Sequence, residues 1–198
     1  MQDMKVPPPT LLPLLRSRAH GELMAWLYLH PEAEYSTVDM AKLVGLSQAT
    51  VSREADRLVD AGLIEERRLG RSRLIRAASD TILTRSLTDL LAVTFGPLPV
   101  LTELLADITG ITEAYIYGSW AARYAGDAGP LPRDIDLLVV GDADPDDVYD
   151  AARAAEIRLG REVNPSLVNA ARWDEPGDDP FLTGLRQRPL VRLNIEKN

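Results

Sequence analysis

The chain has 198 residues, a net charge of -8, and 45% apolar and 26% charged residues. This length accommodates one large or two small domains, and the composition is ordinary for a soluble globular protein. Because there is no cysteine, disulfide frameworks and thiolate metal sites are excluded as well. We find no apolar run near the ~20 residues that a membrane helix needs. The simplest interpretation is a cytoplasmic protein without membrane contact.

The charge is distributed unevenly between the two halves of the chain. Residues 1–95 carry 12 basic and 12 acidic side chains, whereas residues 96–198 carry 10 and 18. Five arginines and no acid fall between residues 67 and 76. The acidic balance of the whole chain therefore does not exclude nucleic-acid binding by its first half.

The first half begins with a proline-rich segment and continues with three predicted helices. We expect residues 1–19 to be a flexible lead-in. Apolar residues at helical spacing predict the helices, which cover residues 21–29, 38–44 and 48–60. Ser36 and Ser47 are suited to cap the second and third helices, because their side chains accept hydrogen bonds from free backbone N–H groups.

The second and third helices have the arrangement of a helix-turn-helix. In this motif the N-terminal residues of the later helix usually contact base edges in the major groove. Here those residues are small or polar, and we expect them to contact DNA. They are Ser47, Gln48, Thr50, Ser52 and Arg53. The alternative is an ordinary capped helix with an exposed polar face.

Two short strands follow, over residues 63–68 and 73–77, with a tight turn between them. A β-hairpin tipped with arginines directly after a helix-turn-helix is typical of a wing. Its arginines would lie beside the phosphate backbone or in the minor groove of duplex DNA. We expect Arg68, Arg71 and Arg73 to make these contacts.

The sequences of residues 43–53 (LVGLSQATVSR) and 58–64 (LVDAGLI) resemble the winged-helix transcription regulators of the ArsR and MarR type. The resemblance covers about residues 20–78. It implies binding to double-stranded DNA, commonly as a homodimer that contacts two half-sites. Metal sensing of the ArsR type is not supported, because the chain has no cysteine and its histidines are His20 and His30.

A fourth helix is predicted over residues 81–93, with Ser79 and Asp80 as its cap. It would either pack between two protomers, as in the regulators named above, or pack on its own wing domain. A turn-rich stretch then ends a winged helix-turn-helix domain of residues 20–95 and opens a second domain of residues 96–198.

Two aspartates at the start of an apolar strand are the main feature of the second half. Asp134 and Asp136 would lie on one face, ~7 Å apart, because alternate side chains of a strand share a face. A divalent cation would remove their repulsion, and Mg²⁺ is usually held by carboxylates together with substrate phosphates. Gly118 and Ser119 form a turn upstream, whose backbone could approach such phosphates closely.

The remaining elements of the second half predict a three-stranded mixed sheet with helices. Strands are expected over residues 111–117, around Asp134, and over residues 160–168. Helices are expected over residues 98–108, 120–124 and 148–159, with a terminal helix and tail over residues 178–195. The whole chain is thus predicted to be α+β, a winged helix-turn-helix domain followed by a small mixed-sheet α/β domain.

This half resembles the minimal, or MNT-type, nucleotidyltransferase domains of the DNA polymerase beta superfamily. The family pattern is a strand, Gly-Ser, a spacer and Asp-x-Asp on the next strand, which Gly118, Ser119, Asp134 and Asp136 match. The resemblance implies that the Gly-Ser turn holds a nucleoside triphosphate (NTP). It also implies that the two aspartates bind Mg²⁺ or Mn²⁺ and act in phosphoryl transfer.

One position departs from the family pattern. Active members usually carry a third carboxylate on a later strand, and the aligned residue here is Asn164, which cannot act as a base. Glu162 shares a strand face with Asn164 and becomes the third catalytic candidate if the register differs by two residues.

Together the two resemblances predict a DNA-binding transcription regulator with a nucleotidyltransferase-type domain that binds Mg²⁺ and NTP. One alternative is an active nucleotidyltransferase that transfers a nucleoside monophosphate from NTP to a hydroxyl. Another is an MNT-type antitoxin, whose protein partner would be a toxin.

Overall fold

The computed structural model describes residues 17–79 and 81–195. The chain divides into two compact units between Gly96 and Pro97. Each unit has its own sheet and its own set of buried apolar side chains.

The described part of the N-terminal unit combines helices with a three-stranded antiparallel sheet. Its elements are α1 (Arg18–Leu29), β1 (Tyr35–Ser36), α2 (Thr37–Leu43), α3 (Gln48–Asp60), β2 (Ile64–Leu69), β3 (Ser72–Ala77) and α4 (Thr84–Phe95). The strand order is β1-β3-β2, and β2 and β3 pair along their whole length. Helices α2 and α3 with this hairpin form the predicted winged helix-turn-helix.

Capping side chains set the ends of the two central helices. The Ser36 side chain accepts a hydrogen bond from the Asp39 backbone N–H (3.0 Å), and the Ser47 side chain accepts one from the Thr50 N–H (3.1 Å). One face of α3 is buried, through Val51, Ala55 and Leu58. The predicted bounds of α3 are confirmed, and those of α2 differ by one residue at each end.

The predicted lead-in is too long. Residues 1–16 lie outside the described residues, but the Ser17 side chain accepts a hydrogen bond from the His20 N–H (3.2 Å) and caps α1. The helix therefore begins at Arg18 and not at residue 21.

The start predicted for the fourth helix is also wrong. Helix α4 begins at Thr84, whose hydroxyl donates a hydrogen bond to the Ala78 carbonyl (2.8 Å). The same hydroxyl is hydrogen-bonded to the Thr81 hydroxyl (2.9 Å). These bonds hold the preceding residues in a turn. Ser79 is not the cap, and Asp80 lies outside the described residues.

The described part of the C-terminal unit is built on a four-stranded mixed sheet. Its elements are α5 (Pro97–Leu105), β4 (Ile111–Tyr117), α6 (Gly118–Tyr124), β5 (Asp134–Gly141), α7 (Pro145–Leu159), β6 (Glu162–Val168), α8 (Ala170–Asp174), α9 (Pro180–Arg186) and β7 (Val191–Arg192). The strand order is β6-β5-β4-β7. Strands β5 and β6 are parallel, and the other pairs are antiparallel.

The central strand β5 is buried on both faces except at its beginning. Ile135, Leu137 and Val139 point to one face and are fully or almost fully buried. Leu138 and Val140 point to the opposite face, where side chains of α8 and α9 cover them. Asp134 precedes this cover and is exposed. The strand thus carries its charged residues at the open end of an otherwise apolar sheet face.

The C-terminal segment departs from its prediction. Residues 178–195 were predicted as one helix and a tail, and the sheet as three-stranded. Instead, a second short helix, α8, precedes α9. The chain then returns as β7, in which Val191 pairs with Ile116 and Arg192 pairs with Tyr115 of β4. This two-residue edge strand lacks the length at which apolar alternation can be recognised.

Helices α4 and α5 follow each other and form one apolar stretch, Thr84–Leu105, with a mean hydropathy of 1.3. By length and composition alone it could cross a membrane, which the sequence interpretation did not recognise. The backbone is extended at Gly96 between the two helices. Helix α4 packs on α1 in the first unit and α5 packs on α7 in the second, so each helix belongs to a different core.

Candidate functional site

The predicted DNA contacts at the start of α3 fall into two groups. The hydroxyls of Ser47 and Thr50 are hydrogen-bonded to each other (2.9 Å) and serve the helix cap. Gln48 and Arg53 are exposed, and Ser52 is half-buried. Arg53 points away from the fully buried Val51, because residues two apart in a helix lie on nearly opposite faces, and Gln48 is exposed at the first turn of the helix.

Ion pairs neutralise several arginines of the wing. The Arg67 guanidinium donates to the Glu34 carboxylate (2.9 Å), and this hydrogen bond lowers the pKa of Glu34 below its usual value. Arg76 donates to Glu65 (2.7 Å), directly across the hairpin. Sequence reasoning missed both acids as partners. The positive potential of the hairpin is therefore smaller than its five arginines imply.

Arg68 and Arg71 remain available at the tip of the wing. Both are exposed, and neither forms an ion pair with any of the described residues. With Arg53 on α3, they are the predicted DNA contacts whose charge is not used within the unit. They are the arginines best placed to meet an anionic partner.

Arg73 has a different environment, although it was predicted to contact DNA. Its side chain is only 17% exposed and lies between Asp56 of α3 (2.6 Å) and Glu66 of β2. Burial alone would lower the pKa of this guanidinium, but the hydrogen bonds to the two carboxylates raise it above its usual value. Arg73 therefore ties the wing to α3.

We predict that Arg73→Met lowers the free energy of unfolding by about 2 kcal/mol, because hydrogen bonds to charged groups are lost. Asp56 and Glu66 would then repel each other without a cation between them. Arg68→Met is the matched control and should change stability by less than ~0.5 kcal/mol. Urea unfolding followed by circular dichroism measures both, and equal stability of the two variants would contradict the role of Arg73.

The second site begins at the open end of β5. Asp134 pairs in register with Glu162, and Asp136 pairs with Asn164. Adjacent residues in register share a sheet face, so all four side chains lie on the same side. The carboxylate of Glu162 therefore lies beside Asp134, while the aligned third position beside Asp136 is the amide of Asn164.

The environment of Asp136 favours a bound cation. Burial raises the pKa of this carboxyl, and the negative charge of Asp134 raises it further. Both effects make a second negative charge costly, and a positive ion between the oxygens would offset that cost. Mg²⁺ is usually bound through one or two carboxylates together with substrate phosphates and water.

Gly118 makes a close backbone approach to Asp136. Its φ is +67°, and a Cβ atom at this position would lie 2.2 Å from the Asp136 Oδ2 atom. A side chain here would strain the backbone at this positive φ and would force the Asp136 carboxylate to shift. Ser119 follows in the first turn of α6 and is exposed. The structure thus brings the predicted phosphate-binding turn against the predicted metal-binding carboxylate.

The carboxylates do not form a complete metal site by themselves. Within residues 17–79 and 81–195, no group of three or more His, Asp or Glu side chains is arranged to hold a metal ion. A pair of carboxylate ligands, Asp134 and Asp136, agrees with Mg²⁺ sites that substrate phosphates and water complete. The residues present therefore fit a metal that arrives with a phosphate ligand.

We predict that Gly118→Ala lowers the free energy of unfolding by about 2–4 kcal/mol, through backbone strain and the clash with Asp136. Gly177→Ala is the control, because Gly177 also has positive φ (+55°) but open space around it. It should cost about 1–2 kcal/mol. Urea unfolding of both variants separates the backbone strain, which they share, from the clash with Asp136, which only Gly118→Ala has. Equal losses of unfolding free energy would show that the clash is absent.

Comparison with known proteins identifies the type of the first unit. Residues 17–73 match the model of the MarR family. This segment is a winged helix of the MarR type. The match ends before α4 and includes none of the C-terminal unit, so it assigns the first unit only.

Two solved structures align over less than half of the chain. Reduced HlyU from Vibrio cholerae has 18% identity and a TM-score of 0.36, over 44% of this chain and 86% of HlyU. A cysteine mutant of E. coli MarR complexed with operator DNA has 20% identity and a TM-score of 0.34, over 43% of this chain and 60% of MarR. No curated protein matches the sequence.

Proposed function

We propose that the protein is a DNA-binding transcription regulator whose N-terminal unit contacts duplex DNA. The main support for this proposal is that the exposed face of α3 and the tip of the wing present polar and basic side chains. Gln48 and Arg53 are exposed there, and Arg68 and Arg71 have no acidic partner among the described residues. The match of residues 17–73 to the MarR family supports the same function.

In this proposal the exposed residues make two kinds of contact, with bases and with phosphates. An amide such as Gln48 can form two hydrogen bonds with an adenine edge in the major groove. Arg53, Arg68 and Arg71 would neutralise phosphates and fix the position of the unit on the duplex. Arg73 acts indirectly, because it holds the wing at its place beside α3.

We predict that Arg68→Ala with Arg71→Ala weakens binding to a 30-base-pair duplex of mixed sequence and reduces the salt dependence. Two lost phosphate contacts lower the slope of log affinity against log salt by about 2. Fluorescence anisotropy between low and moderate salt measures both quantities.

The control is Arg153→Ala with Arg188→Ala, which removes two arginines from the C-terminal unit. This variant should retain the slope of the parent protein. An unchanged slope in the wing variant, or an equal change in the control, would refute the proposed wing contacts.

We also propose that two copies of the chain associate through α4. Its side opposite the buried one carries two exposed apolar residues, Leu90 and Val93, and the two residues just before the helix, Ile82 (96% exposed) and Leu83, are exposed as well. A second copy would remove this apolar surface from water and would present two winged helices to DNA with paired half-sites.

We predict that the protein sediments as a dimer and that Leu90→Glu with Val93→Glu shifts it to a monomer, since two charges would be buried in the interface. Ile157→Glu is the control, because Ile157 of α7 is also an exposed apolar residue (79%) but lies in the C-terminal unit. Sedimentation velocity measures the oligomeric state of the parent protein and of both variants. A monomeric parent protein would contradict the proposal.

For the C-terminal unit we propose binding of NTP together with Mg²⁺ or Mn²⁺. The main support is the register of β5 and β6, which puts Asp134, Asp136 and Glu162 on one sheet face. The backbone at Gly118 lies against Asp136 on this face. The metal would neutralise phosphate charge when bound. Asp134 and Asp136 would hold it, while the backbone at Gly118 and Ser119 would contact the phosphates.

Turnover by this site depends on Glu162. Asn164 beside Asp136 cannot accept a proton, and Glu162 is the further carboxylate on this face among the described residues. An active nucleotidyltransferase would use Glu162 to prepare an attacking hydroxyl. Without that function the site would bind nucleotide and act as a sensor.

We predict that calorimetry detects ATP binding only with Mg²⁺ or Mn²⁺, and that Asp136→Asn weakens it at least ten-fold because a charged metal ligand is lost. Asp150→Asn on α7 is the control and should bind as the parent does. Transfer of labelled AMP to protein or acceptor, lost in Glu162→Gln, would establish the enzyme. Metal-independent binding, or full affinity in Asp136→Asn, would exclude the proposed site.

A further inference from the structure

We propose that Tyr117 and Phe181 form a stacking platform for the base of the bound nucleotide. The proposal rests on the nucleotide site proposed above and adds to it the residues that would contact the base. These two aromatic side chains lie at the edge of the acidic face, and no role for them was predicted from the sequence.

Tyr117 marks the border between the charged and the apolar parts of this sheet face. It pairs with Asp136 in the antiparallel register of β4 and β5, so both side chains lie on the same side. Its hydroxyl is hydrogen-bonded to the Ser166 hydroxyl of β6 (3.2 Å). Since β5 lies between these two strands, the Tyr117 ring crosses β5 between Asp136 and Leu138.

Phe181 packs against this border and remains open to solvent. Its ring meets the Tyr117 ring edge to face, with centroids 6.0 Å apart and an interplanar angle of 78°. The side chain is nevertheless 44% exposed. Exposed aromatic surface is unfavourable in water, so a planar ligand that covers it gains free energy.

The backbone at Phe181 is held in place while its ring stays exposed. Asp179 accepts hydrogen bonds from the N–H groups of Phe181 (2.9 Å) and Leu182 (3.3 Å). The Arg172 guanidinium binds the same carboxylate and lowers the pKa of Asp179. Because the backbone at Phe181 is already ordered, binding of a ligand to the exposed ring costs little conformational entropy.

The position of the pair suits a nucleotide whose phosphates lie at the carboxylates. Tyr117 directly precedes Gly118. Consecutive residues would therefore contact the base, through Tyr117, and the phosphates, through the backbone at Gly118. Stacking requires a flat π surface and no particular pattern of hydrogen bonds. We therefore expect purine nucleotides to bind more tightly than pyrimidine nucleotides, with little distinction between adenine and guanine.

The test compares ATP with inorganic triphosphate, which lacks a base, by calorimetry on the full chain with Mg²⁺. Phe181→Leu keeps an apolar side chain but removes the π face. We expect it to weaken ATP binding about ten-fold and to leave triphosphate binding unchanged. Phe181→Tyr should restore ATP affinity, because it restores the ring.

Tyr149→Leu is the matched control, because Tyr149 on α7 is equally exposed (45%) and should have no effect on either ligand. Equal ATP affinity in Phe181→Leu and the parent protein would overturn the platform while the phosphate site stands. Equal weakening of ATP and triphosphate would also overturn it, since Phe181 would then only support the fold. If the parent protein binds neither ligand, the nucleotide site itself is wrong and the platform falls with it.

Discussion

The pairing of β5 with its two neighbours is the constraint on which the C-terminal unit depends. Every second residue of this strand is fixed in the core, so the residues between them must face the other way. This alternation exposes Asp134 and leaves Asp136 half-buried where the apolar cover ends. The parallel register with β6 then adds Glu162 and Asn164 to the same face. A shift by one residue would bury both aspartates and remove the site.

The N-terminal unit depends on a charged contact of a different kind. Arg73 lies between α3 and the hairpin and compensates two carboxylates that would otherwise repel each other. Arg67 and Arg76 are also occupied, by ion pairs with Glu34 and Glu65. Fewer arginines are therefore available to an anionic partner than the cluster in the sequence contains. Arg53, Arg68 and Arg71 define that surface, and they lie on the two elements that Arg73 joins.

The sequence predicts those elements well whose signals are local. The bounds of α3 and of β4 are confirmed, because a serine cap, apolar spacing and strand alternation all lie within the segment itself. Features that depend on distant residues were not predicted. The partners of Arg67 and Arg73 come from other elements, β7 exists only through its pairing with β4, and the start of α4 follows from a hydrogen bond to Ala78. For the same reason the candidate residues around Asp136 could be named from the sequence, whereas the contact of Tyr117 with Ser166 could not.

Hydrogen exchange of the full chain, measured by mass spectrometry with duplex DNA and with Mg²⁺ and ATP in turn, tests the central claim that two separate surfaces bind two ligands. We expect DNA to slow exchange in residues 47–53 and 67–73, and Mg²⁺ with ATP to slow it in residues 117–119, 134–136 and 162–164. Protection of the C-terminal segments by DNA, or no protection of either set by its ligand, would show that the two surfaces do not bind these ligands separately.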